Sequence, residues 1–193
     1  MIMTKLTTFA QVRELKGWHA ECFCAALLSR MVPNYTLFAE LTEQESPTLL
    51  SNVLSLIWER LSSPKSKINF SLQREKVEEA APDIAAFDMF GVYPANDACM
   101  AMVAALNLIA GDDDQGAVVV SKLSQGGVEA SLLMSENLTE EEIKTHALMQ
   151  FEIEVQQALL ALIKDAPPNK DTARKARELA GEAQITNIGV ELE

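Results

Sequence analysis

The chain has 193 residues, is 48% hydrophobic and carries a formal net charge of -12. That length and apolar fraction suit a single core in one domain, and the 6% aromatic share, with abundant Ala, Leu, Met and Glu, argues against a strand-rich sandwich or barrel. The sign of the charge argues against direct binding of nucleic acid, which needs stripes of Lys and Arg to neutralise phosphate.

The acidity is uneven. Residues 1–110 hold 12 acids and 9 bases, and residues 111–193 hold 16 acids and 7 bases. A basic partner for the acidic C-terminal half is therefore one expectation, and solubility is the plainer explanation. The 3 cysteines form an odd set without disulfide spacing, and the N-terminus lacks a basic region followed by an apolar run. The expected location is therefore a reducing cytoplasm. No apolar run is read as a membrane span.

Along the chain, Thr8 and Gln11 have capping-box spacing, and Phe9, Val12 and Leu15 form an apolar stripe before Gly17. A helix over 18–31 follows, wrapped in apolar residues around Cys22, Phe23, Leu27 and Arg30, and Pro33 is expected to end it. Asn34 then caps a short helix through Leu41, and Ser46-Pro47 reads as the next start. Leu50, Val53, Leu54, Ile57, Trp58 and Leu61 recur at spacings of three and four, which predicts a helix with one core face. Asn69 caps a helix over 70–80 that Pro82 stops, and a short turn through Ile84 and Phe87 leads on.

Residues 91–111 organise the rest. Pro94 suits a first helical turn, Gly111 suits a stop, and only Asn96, Asp97 and Asn107 are strongly polar in between. A helix over about 94–110 that is apolar nearly all round belongs in the middle of a bundle. Asp112, Asp113 and Asp114 fit a helix start, where the macrodipole favours negative charge. The segment 115–134 contains Gly126-Gly127 and could form a hairpin. A helix is preferred because a lone hairpin would lack partner strands. Thr139 and Glu142 repeat the capping box ahead of a helix reaching Lys164, and Pro167-Pro168 breaks it. Asp171 caps a final helix, and residues 185–193 are expected as an extended tail.

The chemistry of the sequence is mostly a set of exclusions. There is no phosphate loop, dinucleotide fingerprint, nucleophile elbow or His-Glu-x-x-His pair. The two histidines are His19 and His146. The His19/Cys22 spacing lacks a second ligand pair, so neither a metal nor a cofactor is expected. The polar residues Asp88, Tyr93, Asn96 and Asp97 cluster at the entry to the central helix, where buried polar groups need partners or water. They form a structural network or a pocket, with Asn69 and His19 as further candidates to line it.

The strings MVPNYTLF (31–38), LSLIWERL (54–61), KINFSLQREKVEEAAPDIAAFDMFGVYPANDACMA (67–101), AVVVSK (117–122) and TNIG (186–189) resemble the bacterial YjaG-like family, whose function is unknown. The resemblance covers nearly the whole chain, and FDMFGVYPANDA is its most specific part. It implies an all-helical, single-domain, cytosolic proteobacterial protein and supports helix over hairpin for residues 115–134. It supplies no catalytic or binding residue.

The sequence is therefore read as an all-α single domain over 1–193, a bundle of about eight to ten helices around the central helix. A non-catalytic interaction or regulatory protein is the favoured function, with a homodimer or a basic protein as partner. The alternative is a small-molecule binder or enzyme that uses Asp88, Tyr93 and Asp97, with His19 as base.

Overall fold

The computed structural model describes residues 7–193, so the N-terminal segment read for a leader begins outside the described residues. Among the described residues the chain forms nine α-helices, one 3-10 turn (Ile84–Ala86) and one isolated antiparallel bridge, with no longer strand. In chain order the helices are α1 (Thr8–Glu14), α2 (Gly17–Leu41), α3 (Leu49–Ser62), α4 (Phe70–Ala80), α5 (Val92–Ala110), α6 (Gly116–Glu136), α7 (Glu140–Thr145), α8 (Ala147–Ile163) and α9 (Lys170–Gly181). This is the all-helical bundle that the periodicity and composition predict.

The central helix is α5, which packs against α2, α4 and α6. It shares the middle of the bundle with α2, which touches α3, α5, α6, α8 and α9. At 19 residues α5 is long and apolar enough to cross a bilayer by length and composition, and here it is a bundle member with half of that window buried. Gly111 ends it in the left-handed conformation at φ 80°, which glycine adopts without a steric penalty. Close packing follows at the next crossing. A Cβ on Gly116 would lie 2.7 Å from the Ala104 carbonyl oxygen and 2.8 Å from Leu108 Cβ, so the start of α6 sits against α5 at backbone distance.

All six stripe residues of α3 are buried. Burying each such large side chain contributes roughly 1.5–3 kcal/mol. Asn69 caps α4 as expected, its side chain accepting from the Leu72 amide at 3.0 Å. Residues 116–136 form one continuous helix through Gly126-Gly127, so the hairpin is not formed.

Several boundaries differ from the sequence reading. Pro33 does not stop α2, which continues to Leu41. An interior proline removes one amide hydrogen bond, but the packing of α2 on five neighbouring helices keeps it helical past that gap. Asn34 is consequently not a cap. It is buried and bonds across the bundle to Asn187. Ser46, Pro47 and Thr48 form a turn closed by Leu49 N–H donating to the Ser46 carbonyl, and α3 begins only at Leu49.

Two caps sit one or two residues before the expected residue. Thr7 rather than Thr8 caps α1, and Asn169 rather than Asp171 caps α9, because each of the true caps has an extended backbone that aims its oxygen at the first turn. The Thr139/Glu142 capping box is present, but its helix is only α7. His146 turns extended, and its Nδ1 accepts from the Leu148 amide to start α8. Residues 185–193, expected as an extended tail, fold back on themselves. Ile185 bridges Glu191, and the Asn187 amide donates to the Arg30 carbonyl at 3.1 Å.

Candidate functional site

The six sequence candidates divide. Asn69 is exposed and occupied as a helix cap. His19 Nε2 contacts the Ala166 carbonyl at 2.8 Å, at the α8–α9 connection. Asp88 is exposed, Tyr93 is 46% exposed beside the Phe90 ring at 5.8 Å, and Asn96 donates to the Met100 sulfur. Asp97, one turn along α5 from Tyr93, is the candidate that turns inward. A Cβ on Gly127 would lie 3.6 Å from Asp97 Oδ2 and 3.2 Å from Asn187 Nδ2, so α5, α6 and the C-terminal loop meet there. Burial pushes the Asp97 carboxyl up from 3.8 to about 6.

Behind Asp97 lies a buried polar knot that the sequence reading did not assemble. Arg30 of α2 donates to Glu152 Oε2 of α8 at 2.9 Å, and both are almost fully buried. The other carboxylate oxygen, Oε1, accepts from Ser124 Oγ at 2.6 Å and Gln156 Nε2 at 3.0 Å. Gln156 Oε1 in turn accepts from Ser121 Oγ at 2.6 Å. Asn187 completes the knot by accepting from Asn34 Nδ2 at 2.9 Å and donating to the Ser124 carbonyl at 3.1 Å. The Phe151 ring lies over the Arg30 guanidinium at 5.3 Å, although Arg30 Nε has no hydrogen-bond partner among the described residues.

Each member had a sequence signal. Arg30 interrupts an apolar helix, Glu152 and Gln156 are four apart on the buried side of α8, Ser121 and Ser124 are three apart on α6, and TNIG contains Asn187. What hid the knot was its long range in sequence, because a spacing of 122 residues separates Arg30 from Glu152.

α2, α5 and α6 continue past the knot to one end of the bundle. Phe38 packs edge-on to Phe87 at 5.0 Å, and a Cβ on Gly91 would touch Phe38 and Met89 at 3.9 Å, so the C-terminal end of α2 meets the entry of α5. Stepping outward from Asn34, Asp97 and Gly127 along their helices leads to Leu37 and Leu41, to Tyr93, and to Met134. Leu41 is 65% and Met134 66% exposed, and Leu37 and Met89 also reach solvent. The helix entry therefore has a polar inner side and an apolar outer side.

The remaining groups have identifiable roles. All three thiols are buried, and desolvation pushes Cys22 and Cys99 up to about 12 and Cys24 higher still, which keeps them protonated. Many C-terminal acids are engaged. Asp112 pairs with Arg74, Glu141 with Lys144, and Asp171 and Glu178 with Arg174. A groove of about 660 Å³ runs between α8 and α9 over Ala158, Ala161, Leu162 and Leu179, and a cleft of about 670 Å³ lies between Tyr35, Leu49, Lys76 and Phe87. Among the described residues no cluster of three or more His, Cys, Asp or Glu side chains has metal-binding geometry.

Comparison with known proteins supports one assignment. Residues 7–191 match the family described as "Protein of unknown function (DUF416)". The uncharacterized protein YjaG of Salmonella typhimurium is 35% identical over 185 residues, covering 93% of this chain and 94% of the relative. An uncharacterized protein of Haemophilus influenzae is 36% identical over 189 residues, covering 94% and 95%. The crystal structure of a DUF416 family protein from Shewanella baltica superposes with a TM-score of 0.88 at 32% identity, covering 97% of this chain and all of the other. With its family profile, its relatives and its fold in agreement, the chain belongs to the DUF416 family of proteins of unknown function.

Proposed function

We propose that this protein works by docking another macromolecule against the end of the bundle at the entry to α5. The observation that carries the reading is the set of large apolar side chains left in water on three adjoining helices, Leu37 and Leu41 on α2, Tyr93 on α5 and Met134 on α6. Single exposed apolar residues are ordinary. Apolar side chains gathered at one end are the feature that marks interaction surfaces, and methionine and tyrosine suit such a surface because one adapts its shape and the other adds area with a polar tip. The packed knot beneath supports the reading by holding those helix ends in fixed register.

The test compares the wild type with a Leu41→Gln/Tyr93→Ser double variant, using sedimentation velocity and capture from a proteobacterial lysate. The expected result is a complex, with a second copy or with another protein, that the wild type forms and the variant does not. Equal behaviour of the two proteins would contradict the reading. A small molecule held beside Asp97 is the second reading, favoured by the burial of that carboxyl. In that case Asp97→Asn would abolish ligand binding and leave macromolecular capture unchanged.

A further inference from the structure

We infer that the partner of this end is a basic amphipathic helix, with its apolar stripe across Leu41, Tyr93 and Met134 and its Lys or Arg side chains against the acidic rim. The inference rests on the docking reading above and adds the chemistry of the partner. Its argument is charge. Residues 31–59 and 77–121, which supply the last turns of α2, the loop after it, the 3-10 turn and all of α5, contain no Lys or Arg, and Lys76 of α4, which lines the neighbouring cleft by Tyr35 and Phe87, shares it with Glu45, Glu79 and Asp83. Three of the acids in those windows adjoin the apolar residues in sequence, Glu40 next to Leu41, Asp88 next to Met89, and Glu43 just past the end of α2, and all three are exposed.

Elsewhere acids and bases are interleaved, as at Asp171, Arg174 and Lys175 on α9. At this end the apolar patch and its rim are left to a partner of opposite sign. Three kinds of partner fit less well. A second copy would set acid against acid in a chain of net charge -12. An anionic membrane surface meets the same repulsion. A β-strand finds no sheet edge, since the described residues form no strand beyond one bridge. A helix with apolar residues at i, i+3, i+4 and i+7 presents the stripe that such a face accepts, and a basic one supplies the missing charge.

Fluorescence anisotropy with three synthetic peptides of about 18 residues tests this: a Leu/Lys amphipathic helix, a Leu/Glu helix with the same apolar stripe, and a Lys/Ser peptide of equal positive charge. The Leu/Lys peptide should bind the wild type at least about tenfold tighter than either control. That affinity should fall by at least about tenfold in Leu41→Gln/Tyr93→Ser and stay within about twofold in Leu72→Gln, whose exposed leucine lies on α4. Equal binding of the Lys/Ser peptide would reduce the effect to bulk charge and overturn the inference. So would preference for the Leu/Glu helix, indifference to the double variant, or no binding of the Leu/Lys peptide at millimolar concentration. If the inference fails while the wild type still forms a complex that the double variant loses, only the partner chemistry falls. If the double variant forms the same complexes, the docking reading falls with it.

Discussion

Asn34 and Leu37 are three residues apart on α2, yet Asn34 is buried and bonded to Asn187 while Leu37 stands 44% exposed. The same contrast recurs along α5, where Asp97 turns into the bundle and Tyr93 four residues away faces water. It recurs on α6 between Gly127, pressed against Asn187, and Met134, 66% exposed. A polar interior beside an apolar exterior inverts the usual pattern of burial. The inner set uses long-range hydrogen bonds to fix one arrangement of α2, α6, α8 and the C-terminal loop. The outer set makes none of those hydrogen bonds, and its place at the surface is what the docking proposal accounts for.

The largest effect expected from breaking the contrast is on the inner side. Glu152→Ala leaves the Arg30 guanidinium buried without its carboxylate, and such a loss costs about 3–5 kcal/mol, read as a lowered urea midpoint. A loss below about 1 kcal/mol would show that the ion pair is not structural. Asn187→Ala strands the Asn34 amide, takes the extra bond from the Ser124 carbonyl and should lower stability by about 1–3 kcal/mol. Its hydrogen-exchange signature should be loss of protection in the C-terminal loop.

Asp97 gives a pH dependence with a definite sign. Its folded pKa of about 6 lies above the ordinary 3.8, so the folded state holds the proton more tightly. Its contribution is greatest below about pH 4 and is lost as pH rises through about 6. Asp97→Asn should therefore exceed the wild type by about 1 kcal/mol at pH 8, allowing for partial solvent screening, and match it near pH 4. A benefit that grows toward low pH would reverse this account. Smaller still is the glycine pair. Gly126→Ala enters open space and should stabilise α6 by about 0.5–1 kcal/mol. Gly127→Ala should show no gain, because its Cβ meets Asn187 Nδ2 at 3.2 Å, and two hydrogen bonds hold that side chain in place while a third holds its backbone amide.

How far the sequence reached follows from the range of the interactions involved. The α3 stripe and the Asn69 cap are governed by neighbours three or four residues away, which helical spacing and capping chemistry predict, while the unbroken α6 followed from the lack of partner strands for a hairpin and from the family resemblance. Pro33 misled because its local tendency was overridden by the packing of α2 on five helices. Asp97 stood out in sequence as a polar residue at the helix entry, but Gly127, which it approaches, and Asn187 beside that glycine come from distant segments. Arg30 and Glu152 carried the signal of charge on an apolar stripe, and only the fold brings the two stripes together. The exposure of Leu41 and Met134 was not legible, since an apolar residue at helical spacing reads as core unless the neighbouring helices are known to stop short.

The most direct test of the docking account is an NMR titration of the 15N-labelled protein with the Leu/Lys peptide. The account places the largest amide shifts at residues 37–43, 88–93 and 131–137, with the knot at Arg30, Ser124 and Glu152 nearly unmoved. Shifts concentrated instead along the α8–α9 groove, at Ala158, Leu162 and Leu179, would contradict it and place the binding face in the acidic C-terminal half.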